Sequence, residues 1–131
     1  MEDDFSFRRL IGRLIYLTNI RPDITYVVQH LSQFVAAPTS VHQQPAVRIL
    51  RYIKGSPIVG IFLFATSKIQ LKGISDCDWV GCIDIRRSIT SYAMYIGDSL
   101  ISWRSKKQAT VSKSSSEAEY RALASAICEL Q

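Results

Sequence analysis

No aspartate or glutamate occurs between Ile24 and Ser75, and none between Ser99 and Ser116. The first of these stretches holds Arg48, Arg51, Lys54, Lys68 and Lys72, and the second holds Arg104, Lys106, Lys107 and Lys113. The 131-residue chain therefore carries a formal charge of +5 gathered into blocks. Such blocks attract phosphate backbones and steer association, although a plain solvated basic face has the same composition. Cysteine is scarce: Cys77, Cys82 and Cys128 are odd in number and leave no second close pair for a four-ligand zinc site. They are expected to be reduced bystanders, and His30 and His42 are too far from them in sequence to suggest a zinc finger. Long apolar runs are missing as well, since the longest, Ile58 to Ala65, falls far short of the ~20 residues of a membrane-spanning helix. The start, Met1-Glu2-Asp3-Asp4, is acidic where a signal peptide is basic. The chain is thus expected to be intracellular, in cytoplasm or nucleus, and neither secreted nor bound to a membrane.

What is present reads as globular: 47% of the residues are hydrophobic and 21% charged. Phe7, Leu10, Ile11, Leu14, Ile15 and Leu17 recur at helical spacing among Arg8, Arg9 and Arg13. Arg21-Pro22-Asp23 interrupts that pattern, and a second helix is expected from Pro22 through Val27, Val28, Leu31 and Phe34 to Ala37-Pro38. A third is predicted from about Val41 to Lys54, with Ala46, Leu50 and Ile53 inward and Arg48 and Arg51 outward, ending at Gly55-Ser56-Pro57. Beyond Pro57 the pattern becomes extended, with strand-like runs at Ile58 to Ala65, Gln70 to Asp76, Ser88 to Ile96 and Leu100 to Trp103. Gly97-Asp98-Ser99 predicts a hairpin between the last two runs, and a final helix is expected from Ser114-Ser115-Ser116 through Ile127.

Two acidic pairs stand out. Asp76 and Asp78 close or follow a strand that holds no other acid, where acids are depleted, and residues two apart on a strand share a face. They also suit the start of a turn at Trp79-Val80-Gly81. Glu117 and Glu119 open the last helix, where Ser114-x-x-Glu117 and Ser116-x-x-Glu119 both fit a capping box. If Ser114 is the cap, Glu117 is engaged and Glu119 is left to project. Acids from a strand end and a helix start, amid basic surface, make sense together if they share a hard cation such as magnesium, although two carboxylates are few for holding two ions.

The motifs Phe7-Arg8-Arg9-Leu10-Ile11-Gly12-Arg13-Leu14-Ile15-Tyr16-Leu17-Thr18, Arg21-Pro22-Asp23-Ile24, Leu31-Ser32-Gln33-Phe34 and Ile49-Leu50-Arg51-Tyr52-Ile53-Lys54-Gly55 resemble the end of a copia-type (Ty1/copia) retrotransposon reverse transcriptase. Ser75-Asp76-Cys77-Asp78-Trp79-Val80-Gly81, Asp84-Ile85-Arg86-Arg87-Ser88, Ile101-Ser102-Trp103-Arg104-Ser105-Lys106-Lys107-Gln108 and Ser115-Ser116-Glu117-Ala118-Glu119-Tyr120 resemble the opening of that element's ribonuclease H domain. The resemblance covers nearly the whole chain after Asp4, and the order of the motifs makes it far more specific than any one of them.

What the resemblance implies is an α/β chain: residues 1–56 as the helical tail of the reverse transcriptase, and 57–131 as a partial ribonuclease H-like fold. That fold would have three to four mainly antiparallel strands and one helix. It implies that Asp76 and Glu119 are catalytic metal ligands for Mg2+, with Asp78 a supporting or turn residue and Glu117 the cap. Arg86, Arg87, Lys106 and Lys107 become candidates for contact with an RNA–DNA hybrid, which such enzymes recognise largely by groove shape, phosphates and the 2′-hydroxyl. The rest of the polyprotein is the other implied partner. The family follows this helix with a further strand bearing another aspartate, and this sequence ends at Glu129-Leu130-Gln131; Ser91 stands where the family usually has glycine. The expectation is therefore magnesium-dependent hydrolysis of the RNA strand in the intact parent and no significant nuclease activity in this chain alone. The alternatives are a non-catalytic basic nucleic-acid-binding module and a pseudogene product without function.

Overall fold

The computed structural model describes residues 2–82 and 85–131, without the side chains of Glu2 and Asp3. Ile83 and Asp84, the latter part of the Asp84–Ser88 motif, lie outside the described residues. The chain divides into two compact units, 1–61 and 62–131.

The first unit is helical: α1 (Glu2–Leu17), a short 3-10 turn (Pro22–Ile24), α2 (Thr25–Ser32) and α3 (Ser40–Gly55). Its core is Phe7, Ile11 and Leu14 of α1, Ile24, Val28 and Leu31, and Ala46 and Ile49 of α3. Each set follows the three- and four-residue spacing that lines one helix face. Two expectations are corrected here. The second helix ends at Ser32, short of Ala37, and begins as a 3-10 turn at Pro22. In α3 the inward residue is Ile49, while Leu50 is exposed; positions 46, 49 and 53 share a stripe that position 50 leaves. A buried arginine braces the unit. Arg21 grips the Asp23 carboxylate with two nitrogens at 2.7 and 2.9 Å and donates to the Ser56 carbonyl at 2.9 Å. The Tyr52 hydroxyl donates to the same carboxylate at 2.8 Å.

The second unit holds β1 (Leu71–Asp78), β2 (Ile89–Ile96), β3 (Ser99–Lys107) and α4 (Ser115–Glu129). The sheet is three-stranded and antiparallel in the order β1-β2-β3, so the observed fold is α/β. The β2–β3 hairpin turns where Gly97-Asp98-Ser99 predicts it. Gly97 has φ +61, a left-handed conformation that glycine adopts without a Cβ penalty. The strand expected at Ile58 to Ala65 does not form. Its residues have high β propensity, but propensity expresses fit to a half-buried pleated surface, and here Ile58 is 96% exposed.

Helix α4 meets the sheet through Ala118, Ala122 and Ala126, at four-residue spacing, all buried. Tyr120, Leu123 and Ile127 are exposed. Small side chains let the helix backbone approach the strands closely, so this helix hides its inward face from a search for large apolar residues. Among the described residues, no helix is long and apolar enough to cross a membrane.

Candidate functional site

Strand alternation decides which residues α4 can reach. A Cβ on Gly73 would lie 3.0 Å from Met94 Sδ and 3.7 Å from Leu130 Cδ1, at the end of α4, so Gly73 faces the helix. The register of β1 against β2 runs unbroken from Leu71↔Ile96 to Asp78↔Ile89. Ser75 and Cys77 therefore share the face of Gly73, whereas Lys72, Ile74, Asp76 and Asp78 lie on the opposite face. Both aspartates are exposed.

Asp78 ends the strand by starting a turn: its carbonyl accepts the Gly81 amide at 3.2 Å. Its carboxylate folds over Gly81, where an added Cβ would sit 2.6 Å from Asp78 Oδ2. A larger residue at position 81 would push that exposed side chain aside.

On the helix side, Ser114 is the N-cap of α4, its hydroxyl accepting the Glu117 amide at 3.2 Å. Glu117 accepts the Lys113 amide at 2.8 Å and Arg121 Nη2 at 2.8 Å, and these bonds, the amide first, hold its carboxyl below the usual range. Glu119 is exposed in the same turn. The group between the two acidic sets is Cys77. Burial pushes its thiol pKa up, and the charges of Glu119, then Asp76 and Asp78, add to the rise while Ser88 opposes it. Cys77 thus lies on the α4 side of β1, between two chain neighbours, Asp76 and Asp78, on the other.

This arrangement does not by itself fit a magnesium pair. Among the described residues, no group of three or more His, Cys, Asp or Glu side chains is placed to hold a metal ion. All three cysteines are free thiols.

Gln108, one residue past β3, ties these parts together. Its Nε2 donates to Thr90 Oγ1 and to the Ala118 carbonyl, both at 3.0 Å, and approaches Cys77 Sγ at 3.5 Å; its Oε1 accepts the Ser112 hydroxyl at 2.9 Å. Sequence reasoning gave Gln108 no role beyond its place in a motif. Of the candidate hybrid-contacting cations, Arg87, Lys106 and Lys107 line one cleft of about 620 Å³ between the sheet and α4, together with Arg104. Arg86, with φ +52, is exposed and lies outside that lining.

Across its full length the chain is 46% identical to a retrovirus-related Pol polyprotein from transposon RE1 of Arabidopsis thaliana, of which it covers 9%. The chain belongs to the copia-type retrotransposon Pol family. A Pol polyprotein from transposon TNT 1-94 of Nicotiana tabacum is 39% identical over 111 residues, 84% of this chain and 8% of that protein. An uncharacterized mitochondrial protein of Arabidopsis thaliana is 43% identical over 128 residues, 98% of this chain. The chain spans about half the length of this mitochondrial relative (53%). No family model matches the sequence. No solved structure matches it either.

Proposed function

We propose that this copia-type chain joins the helical end of a reverse transcriptase (residues 1–56) to the first strands and first helix of a ribonuclease H (residues 57–131). In this reading the intact polyprotein works inside the cell and hydrolyses the RNA strand of RNA–DNA hybrids with Mg2+. Asp76 and Glu119 contribute ligands there, while Arg86, Arg87, Lys106 and Lys107 hold the hybrid. Kinship with Pol polyproteins along the whole chain supports the placement. Among the described residues β1 has a strand neighbour on one side only, which leaves an open edge beside Asp76. Further acids brought to that edge would complete a metal site to which Asp76 and Glu119 supply the first ligands.

The chain by itself is then a nucleic-acid binder without nuclease activity. The observation that supports this is that, among the described residues, no group of three or more His, Cys, Asp or Glu side chains is placed to hold a metal ion. Incubating the chain with a labelled RNA–DNA hybrid and MgCl2 tests it. No cleavage above buffer is expected; robust magnesium-dependent cleavage that disappears in Asp76→Asn would overturn the reading.

A further inference from the structure

The cleft between the sheet and the C-terminal half of α4 lies on the face that Asp76 and Asp78 do not share. Thr90 and Tyr92 of β2 form its floor, and their partners across the hairpin, Lys106 and Arg104, stand on the same face. Arg87 enters from the β1–β2 loop, and Glu129 closes the far side from α4. Among the described residues lining the cleft, Arg87, Arg104, Lys106 and Lys107 meet one carboxylate, that of Glu129. Arg87 and Lys106 make no ion pair among the described residues. Four cations gathered in a concavity against one acid among the described lining residues favour a multiply charged anion. A volume of about 620 Å³ is within the range of small-ligand sites and suits a nucleotide-sized group.

We propose that this cleft binds the phosphodiester backbone of a nucleic-acid strand and holds it away from the acidic face of β1. The proposal deepens the nucleic-acid reading above and rests on it, but it assigns the strand to a different place from Asp76 and adds Arg104 as a contact. A strand seated there lies on the other face of the sheet from Asp76, so this carboxylate makes no contact with it.

The test measures binding of a fluorescent 20-mer RNA–DNA hybrid and of its single strands to the full chain over a range of salt. The double variant Arg104→Ala/Lys106→Ala should bind about tenfold or more weakly, with the slope of log K against log salt reduced by about 1.5, as expected for two lost phosphate contacts. Arg48→Ala/Arg51→Ala removes the same charge from the exposed face of α3 and should change affinity by less than about threefold if contact, rather than net charge, is decisive. Asp76→Asn removes an acid from the other face of β1 and should not weaken binding. Equal weakening by the two double variants, or no weakening by either, would overturn the cleft. Loss of binding on Asp76→Asn would overturn the separation from the acidic face. A third measurement needs no cation variant: Cys128 is exposed and lines the cleft. Bound oligonucleotide should slow its alkylation in the wild-type chain, read by mass spectrometry, and an unchanged rate at saturating ligand would contradict the assignment. Binding that maps elsewhere sinks this proposal alone, whereas magnesium-dependent cleavage by the chain sinks the functional reading itself.

Discussion

Gln108 donates from Nε2 to the carbonyl oxygen of Ala118 at 3.0 Å, joining the end of β3 to the first turn of α4 from inside the protein. The same nitrogen bonds Thr90 at 3.0 Å and the side-chain oxygen accepts the Ser112 hydroxyl, so removing the amide takes a partner from two buried hydroxyls. Gln108→Ala is expected to cost about 1–3 kcal/mol. Urea denaturation checks the magnitude, and hydrogen exchange should show the loss at the amides of the first turn of α4.

The cap is a separate and smaller contribution. Ser114 accepts the Glu117 amide at 3.2 Å, and Ser114→Ala should destabilise the second unit by about 1 kcal/mol, with Ser114→Gly costing only a few tenths. Matched urea curves for the two variants test this ordering.

Acid should weaken both units for related reasons. In the first, the Arg21 guanidinium holds the Asp23 carboxyl below its ordinary value against the opposing effect of burial, with Tyr52 assisting. In the second, the Lys113 amide and Arg121 do the same for Glu117. A carboxyl lowered in the folded state adds stability that is fully present above its unfolded value and is lost as pH falls through the folded one. Denaturation midpoints should therefore hold at neutral pH and fall below about pH 4. Asp23→Asn should flatten the profile of the helical unit, and Glu117→Gln that of the other, in circular dichroism titrations.

Val80 has φ +58 in the turn after β1, a left-handed conformation that is costly for a β-branched residue. Val80→Gly should stabilise the second unit by up to about 1 kcal/mol. A lower urea midpoint in this variant would mean that the side chain contributes more than the strain costs.

Much of the architecture is legible in residues that have a local job. Gly97 marks the hairpin and Ser114 marks the start of α4, because each acts on its immediate neighbours. What escapes the sequence depends on partners far along the chain. The run from Ile58 to Ala65 has every local property of a strand and forms none, since strand formation needs a paired neighbour. The inward stripe of α4 is alanine, a residue whose burial comes from close backbone approach and carries no large apolar signal. The same limit applies to the site. Spacing brings Asp76 and Asp78 to one face, and capping logic separates Glu117 from Glu119, yet which face of β1 the helix covers is fixed by Gly73, Met94 and Leu130. Gln108 was hidden because a buried glutamine joining three elements has no sequence pattern of its own.

The separation of Asp76 from α4 by strand β1 can be measured directly with a carbon-edited NOESY experiment on the isotopically labelled chain. The β-protons of Cys77 should show cross-peaks to the first turns of α4, and those of Asp76 should show none. Cross-peaks from Asp76 to Ala118 or Ala122, on the buried face of the helix, would put Asp76 on the covered side of β1 and contradict the account.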